Sequence, residues 1–456
     1  MTTLYPYQKI GVKLIQQFNG KALLADEMGL GKSLQALSYL KLSKAYPTIV
    51  ICPSSAKWVW KNEAKKHLNM SSKILEGQTV KDIKNIHKYK VIIINYDILI
   101  YWLDYLKQLN PQLIIIDEVH LQKNRKAKRT KAIQQLAKGK KQIIAISGTP
   151  LLNRPSELFT TLKLLWPNKF YSFWEYAFRY CKPFQTRWGW NFNGAENLEE
   201  LHENLKQMGM IRRLKKDVLK DLPDKIRTVV QLPIRKKSEY YNAVNNFLNW
   251  LEKQDPNKAK RAARAEKLVK IGYLKRLAAQ LKMKYVLQWV ENFLEDSDEK
   301  LVLFCCHKNI MKRLQKRFPN NSVFIDGSVT SKDRDIAVQK FQTDPSIRLF
   351  FGNIKAAGEV ITLTAAAALA FVELDFVPAK HAQAEDRIHR IGQKSVTNFY
   401  YLVAKGTIEE HLCEIIQKKQ KIISAVLDGD DNINTINVYD LLERTLIKEK
   451  TNGTAK

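Results

Sequence analysis

The sequence is poor in acids, in cysteine and in long apolar runs, and each shortage excludes something. Five cysteines, Cys52, Cys181, Cys305, Cys306 and Cys413, form no CxxC pair and no metal-ligand spacing. That excludes a disulfide-stapled scaffold or a zinc ribbon and suits a reducing compartment. The eight histidines make neither HExxH nor HxxxH, which leaves no zinc-hydrolase pattern. No stretch approaches the ~18 apolar residues of a membrane span; the nearest, AAAALAFVELDFV at 365–377, is broken by Glu373 and Asp375. The opening MTTLYPYQKIGVKLI has no charged n-region followed by an apolar h-region, so no secretory leader is expected. The expectation is a soluble intracellular protein with no membrane partner, cytoplasmic if bacterial or viral and nuclear if eukaryotic. Acids number 45 against 76 lysines and arginines, a formal charge of +31. Such an excess points to a polyanionic partner, because basic groups gain affinity by releasing counterions condensed on phosphates.

What is present is a rhythm of short apolar runs separated by helical pattern. In the first half these are KALLA at 21–25, TIVIC at 48–52, VIIIN at 91–95, LIIID at 113–117 and IIAIS at 143–147. In the second they are LVLFC at 301–305, SVFID at 322–326, RLFFG at 348–352, ALAFVEL at 368–374 and FYYLVA at 399–404. Near-continuous apolar strands alternating with helices suit a parallel sheet covered on both faces. The expected class is α/β, two doubly wound parallel-sheet lobes with helical insertions between them. The reading sets a first lobe at 1–154, an insertion completing it at 155–235, a basic helical protrusion or linker at 236–280, a second lobe at 281–428 ending in a long helix, and a flexible tail at 429–456. The stretch 258–284 carries Lys260, Arg261, Arg264, Lys267, Lys270, Lys275, Arg276 and Lys282 against Glu266 alone, and is read as DNA-facing or inter-lobe rather than as a solvated face.

Four motifs carry chemistry. KALLADEMGLGKS is a strand, a Gly-rich turn and a helix start. Gly29 and Gly31 let backbone N–H groups approach phosphates at a helix N-terminus; Lys32 would reach the β- and γ-phosphates and Ser33 would ligate Mg²⁺. Asp26 stands where the common pattern has its first glycine. LIIIDEVH places Asp117 at a strand end to hold the metal and Glu118 to polarise the attacking water. ISGTP at 146–150 offers Ser147 and Thr149 as sensors of nucleotide state, with His120 of DEVH. QAEDRIHRIGQ at 383–393 spaces Arg387 and Arg390 three apart, on one helix face, as arginine fingers across the lobe cleft, with Gln383 as a coupling residue. In LYPYQ, Gln8 and Tyr7 suit reading an adenine edge. ATP and Mg²⁺ are thus the expected ligands.

Together these segments, with VICPSSAKWVWKNE, SGTPLLNRPSELF and IRRLKKDVLKDLP, resemble the Swi/Snf-type ATPases of helicase superfamily two, over residues 4–428 or so. FRYCKPFQTRWGWNFNGAENLEEL at 178–201 and FYYLVAKGTIEEHL look like the annealing-helicase, HARP-type branch. The resemblance implies two RecA-like lobes, ATP bound between them, and a monomeric motor that translocates on duplex or branched DNA through its phosphates. It implies DNA contacts at Lys123, Asn124, Arg125 and Thr364. Gly358 is the cofactor-side glycine retained in KAAGEVITLTAA, where the family commonly has AGGEGINLT and this chain has Val360. Trp188 and Trp190 read equally as wedging or stacking on DNA or as packing of the insertion. The alternatives are a strand-separating DNA or RNA helicase, and a motor subunit of a larger nucleic-acid-processing complex.

Overall fold

The computed structural model describes residues 3–429 apart from 81, 82, 84, 187, 188, 246–265 and 355–360. The described residues fall into two compact units, dividing at Leu222/Pro223 and again at Lys418/Lys419, after which the chain counts with the first unit.

In the first unit, β1 (Lys21–Leu24), β2 (Thr48–Cys52), β3 (Ser72–Ile74), β4 (Val91–Asn95), β5 (Leu113–Asp117) and β6 (Gln142–Ile146) follow in chain order. A small antiparallel hairpin, β7 (Phe184–Thr186) and β8 (Gly189–Asn191), precedes β9 (Met210–Ile211). Among the described residues the main sheet has seven strands in the order β3-β4-β2-β5-β6-β1-β9, all parallel. Successive side chains leave a strand on opposite faces. Thus Ile49, Ile51, Ile92, Ile94, Ile114 and Ile116 enter one core, and Val50, Cys52, Val91, Ile93, Leu113 and Ile115 the other. Both faces are apolar because both are covered, and the β-branched runs of the sequence follow from that.

The second unit repeats the plan. β10 (Lys225–Leu232), β11 (Leu301–Cys305), β12 (Ser322–Ile325), β13 (Leu349–Asn353), β14 (Ala368–Phe371) and β15 (Thr397–Ala404) form a parallel sheet ordered β10-β15-β14-β11-β13-β12. Glu373, which interrupts the most apolar run, is fully buried. It accepts the backbone N–H groups of Cys306 and His307 at 2.9 Å each, tying the end of β14 to the end of β11.

Every apolar run singled out in the sequence forms a strand. Besides the hairpin strands β7 and β8, three further strands of the two main sheets, β3, β9 and β10, carry weaker patterns. β3 is only partly buried, β9 has two residues, and β10 is exposed along most of its length at the sheet edge. Because β10 pairs with β15 along its full length, residues 225–232 belong to the second sheet and not to the insertion assigned to the first lobe. Similarly, one helix, Glu266–Asp296, runs through the boundary set at 280/281. Its Lys282 faces no solvent: fully buried, its ammonium donates to Glu409 Oε2 and to the Leu402 carbonyl, each at 2.5 Å. Lys275 is buried too. The basic positions 260, 261 and 264 lie outside the described residues. The helix Ile408–Asp428 places Leu412 in the second unit's core and Ile423, Val426 and Leu427 in that of the first. Among the described residues no helix is long and apolar enough to cross a membrane.

Candidate functional site

The loop between β1 and the helix Lys32–Ser43 is built around two left-handed glycines, Gly29 at φ +84° and Gly31 at φ +73°. Only glycine adopts that conformation without strain. A side chain on Gly31 would also collide with the Gln8 amide. Lys32 opens the helix, and its ammonium donates back to the Asp26 and Glu27 carbonyls at 2.9 and 3.2 Å. Desolvation holds it below the usual lysine range, opposed by the charges of Glu118, Asp26 and Asp117. Ser33 follows in the first helical turn.

At the end of β5, Asp117 accepts the Trp60 indole N–H at 2.8 Å and the Glu118 backbone N–H at 3.0 Å. Burial, and then repulsion from Glu118, push its carboxyl up to about 7; Trp60 and Lys32 work against that rise. Glu118 takes a left-handed backbone, φ +50°, a strained state for a non-glycine residue. Its carboxylate accepts Ser147 Oγ at 3.2 Å and lies 3.2 Å from His120 Nδ1. His120 Nδ1 and Ser147 Oγ are 3.0 Å apart, and Ser147 Oγ accepts the Thr149 N–H at 3.1 Å. Between them sits Gly148, where an added Cβ would strike Met28 and come within 3.2 Å of Lys32 Nζ. The structure therefore brings Lys32, Asp117, Glu118, His120, Ser147 and Thr149 into one cluster.

The remaining expectations for this unit come out differently in detail. Asp26 is fully buried and gripped by Arg213. The guanidinium binds both its oxygens, with Nε–Oδ1 at 2.8 Å, and also reaches Gln35 Oε1 at 2.7 Å and the Tyr7 carbonyl. Gln35 returns a bond to Asp26 Oδ2 at 3.0 Å. Gln8 is buried, accepting the Tyr5 N–H at 3.0 Å and donating to the Leu30 carbonyl at 3.2 Å. It thus spans the helix start and the glycine loop. Tyr7 packs beside it, and burial, then Asp26, raise its phenol to about 12. Lys123, Asn124 and Arg125 are exposed, yet each has a protein contact. Lys123 meets Glu157 at 3.3 Å, the Asn124 side chain accepts the Lys126 N–H at 3.0 Å, and the Arg125 guanidinium lies 3.3 Å from the Phe173 ring centre.

In the second unit the helix Pro378–Glu385 stops before either arginine. Residues 386–388 turn tightly, with Arg387 N donating to Ala384 O at 3.1 Å and Ile388 N to Glu385 O at 3.1 Å. Arg387 and Arg390 therefore do not share a regular helix face. The acids before them are drawn onto β10: Glu385 binds Arg227 at 2.6 Å and Asp386 binds Lys225 at 2.9 Å. Ile388 is fully buried and Gly392 closes the turn at φ +102°. Arg390 donates to Thr362 Oγ1 at 2.8 Å and Arg387 is buried. Gln383 is buried on the helix, and Thr364 accepts Gln342 at 3.3 Å. Gly358 and Val360 lie outside the described residues.

Residues 7–296 match the SNF2-related domain, and residues 282–392 the helicase conserved C-terminal domain. The chain belongs to the SNF2-related family. Among similar proteins is the Caenorhabditis elegans SWI/SNF-related matrix-associated actin-dependent regulator of chromatin subfamily A-like protein 1 homolog. It is 36% identical over 95% of this chain and 63% of its own length. The Bos taurus DNA annealing helicase and endonuclease ZRANB3 is 34% identical over 93% of this chain and 41% of its own. The chain thus spans about 63% and 41% of these relatives. A solved Sulfolobus solfataricus SWI2/SNF2 ATPase core in complex with dsDNA aligns over 94% of each chain at 26% identity and a TM-score of 0.45. The resemblance read from the motifs agrees with these relatives, including those named for annealing.

Sequence reasoning missed Arg212, Arg213, Gln35, Trp60 and Gly148. Arg212 binds Asp428 at 2.7 Å and donates to the carbonyls of Ala25 at 2.8 Å and Gly148 at 3.2 Å. Two arginines directly after the apolar MGMI were the available signal; their partners, 187 and 216 positions away, were not.

Proposed function

We propose that this chain is a DNA-dependent ATPase that moves on duplex or branched DNA and remodels it, as an annealing helicase or by displacing bound protein. The observation that carries the reading is the half-buried acid pair Asp117–Glu118 beside the lysine of a glycine loop. Hydrolysis of a nucleoside triphosphate needs charge neutralisation at the phosphates and a positioned water, and these are the groups that supply them.

The donor set fits Mg²⁺: a serine hydroxyl and a carboxylate are hard oxygen ligands, and a divalent cation would offset the burial and the Glu118 repulsion that hold Asp117 at about 7. Ser33 and Asp117 would hold it, and it would supply neutralisation of phosphate charge. Lys32 binds the β- and γ-phosphates, exchanging its carbonyl partners for phosphate oxygens. Glu118 orients the attacking water and polarises it toward the γ-phosphorus; ADP leaves. Ser147 and His120, both on the Glu118 carboxylate, couple its position to the 147–150 turn. Gln8 and Tyr7 pack the glycine loop where the base enters. Arg387 and Arg390 supply further positive charge to the transition state. DNA is held mainly by phosphate contacts, in keeping with the charge of +31.

The test is steady-state ATPase without nucleic acid and with single strands, duplex, forked DNA or RNA. Strong stimulation by duplex or fork, abolished in Glu118→Gln with ATP still bound, is the expected result. Stimulation by single strands or RNA alone would replace the reading with a strand-separating helicase. No stimulation would replace it with a subunit that needs partners.

A further inference from the structure

Residues 166–192 hold twelve aromatic side chains in 27 positions, against 10% in the chain as a whole. The structure arranges the described ones in layers. Phe159, Phe170 and Tyr176 are buried in the first unit's core; Phe173 and Phe192 pack on it, 5.1 Å apart between ring centres. Above these, Trp174, Phe178 and Trp190 are 50%, 52% and 43% exposed. They touch one another, Phe178–Trp190 at 5.3 Å and 67°, Trp174–Trp190 at 6.1 Å and 81°, and Trp174 rests on Phe192 at 5.3 Å. Trp188 lies outside the described residues.

The face is held rigidly. Tyr176 donates to the Pro155 carbonyl at 2.7 Å and Tyr180 to Glu200 at 2.7 Å, on either side of the helix Phe173–Tyr180. The β7–β8 pairing sets Trp190 opposite Gln185. A fixed, exposed cluster of large rings is costly to keep wet unless something covers it.

The surroundings say what. From 163 to 192 the sequence carries Lys163, Lys169, Arg179, Lys182 and Arg187 against Glu175 alone; of these, Arg179 is paired with Glu200 from the next helix. Arg125, stacked on Phe173, joins the cluster to the acid-free basic run that starts at Lys123. Aromatic faces amid cations suit a chain of nucleobases on phosphates. In a duplex those base faces are already stacked and unavailable; at a branch point they are open.

We propose that the Trp174–Phe178–Trp190 face is a stacking platform for unpaired bases at a DNA junction. This rests on the DNA-motor reading above and gives it a substrate preference: forks and gaps over blunt duplex.

The experiment uses the full chain. Dissociation constants are measured at one salt concentration for a blunt duplex and for a fork with unpaired arms, in wild type, Trp174→Ala/Trp190→Ala and Trp190→Glu. Loss of base–aromatic stacking is worth ~1–3 kcal/mol per base, roughly five- to 150-fold, so the fork-to-duplex affinity ratio should fall about tenfold or more. In parallel, 5-iodouracil at the first unpaired position should photocrosslink wild-type protein within 171–192, which requires no variant to fold. A wild type that binds fork and duplex equally, a ratio unchanged in folded variants, or crosslinks only elsewhere would overturn the proposal; the last two would leave a protein partner as the occupant of this face. If wild-type ATPase responds to no DNA at all, the motor reading fails first; if duplex stimulates it but the ratio does not move, only the platform fails.

Discussion

Replacing Arg213 by alanine should damage the first unit more than any surface change could. Asp26 is fully buried and Arg213 nearly so. The guanidinium makes four of the contacts that fix this corner: both Asp26 oxygens, Gln35 and the Tyr7 carbonyl. Without it Asp26 keeps the Gln35 amide at 3.0 Å as the side-chain donor shown by the geometry. Breaking a buried pair by deleting one partner typically costs ~3–5 kcal/mol, because the remaining charge stays desolvated. Against a total of roughly 5–15 kcal/mol, that is a large fraction. The damage reaches the nucleotide, since the Asp26 carbonyl is also a partner of Lys32. Urea denaturation followed by tryptophan fluorescence measures the stability, and titration with a fluorescent ATP analogue measures the binding. Arg213→Lys keeps the charge but loses the fork that grips two oxygens at once, and should fall between. Arg213→Ala/Asp26→Asn removes the orphaned charge and should recover about half the loss or more. A single alanine variant within ~1 kcal/mol of wild type, or a double variant no better than the single, would refute the claim that this pair holds the corner.

Three further outcomes follow from named geometry. Asp117 binds its proton more tightly folded than unfolded, its carboxyl standing at about 7 against an ordinary value of 3.8. Ligand-free stability should therefore fall as pH rises from about 4 to about 7 and level off above, while Mg²⁺-nucleotide affinity rises through the same window as the carboxylate forms; urea titrations with Asp117→Asn, which should flatten the slope, check both. Lys282→Ala strands Glu409 in the second unit's core and should cost ~3–5 kcal/mol, whereas Lys282→Met/Glu409→Leu should restore most of it; calorimetric unfolding decides, and an unaffected Tm for Lys282→Ala would count against the pair. DNA affinity should fall linearly in log–log against salt, with a slope of about −0.9 per phosphate neutralised; a flat titration by fluorescence anisotropy would oppose phosphate-dominated binding.

Much of this was legible in the linear chain because its causes are local. A strand buried on both faces must be apolar at every position, so TIVIC, VIIIN and LIIID declare themselves, and their spacing gives the α/β plan. The glycine loop is legible because left-handed φ at Gly29 and Gly31 demands glycine. Asp117 and Glu118 are legible because they end an apolar run. The edge strand β10 was not legible: most of it is exposed, so KIRTVVQL mixes charged, polar and apolar positions into a weak pattern, and only its pairing with β15 assigns it to the second sheet. Lys282 read as part of a DNA-facing or inter-lobe basic element because a lysine carries its charge everywhere, and only the position of Glu409, 127 residues on, makes it a core residue. The same holds for Asp26, whose partner lies 187 residues away, and for Arg387 and Arg390, whose helix ends early where Glu385 and Asp386 are drawn to β10. Periodicity and backbone demands belong to neighbours in sequence, so the sequence determined the sheets, the glycine loop and the acid pair. Which charges are paired, and which aromatic rings stay uncovered, belongs to neighbours in space, and only the tertiary structure decided it.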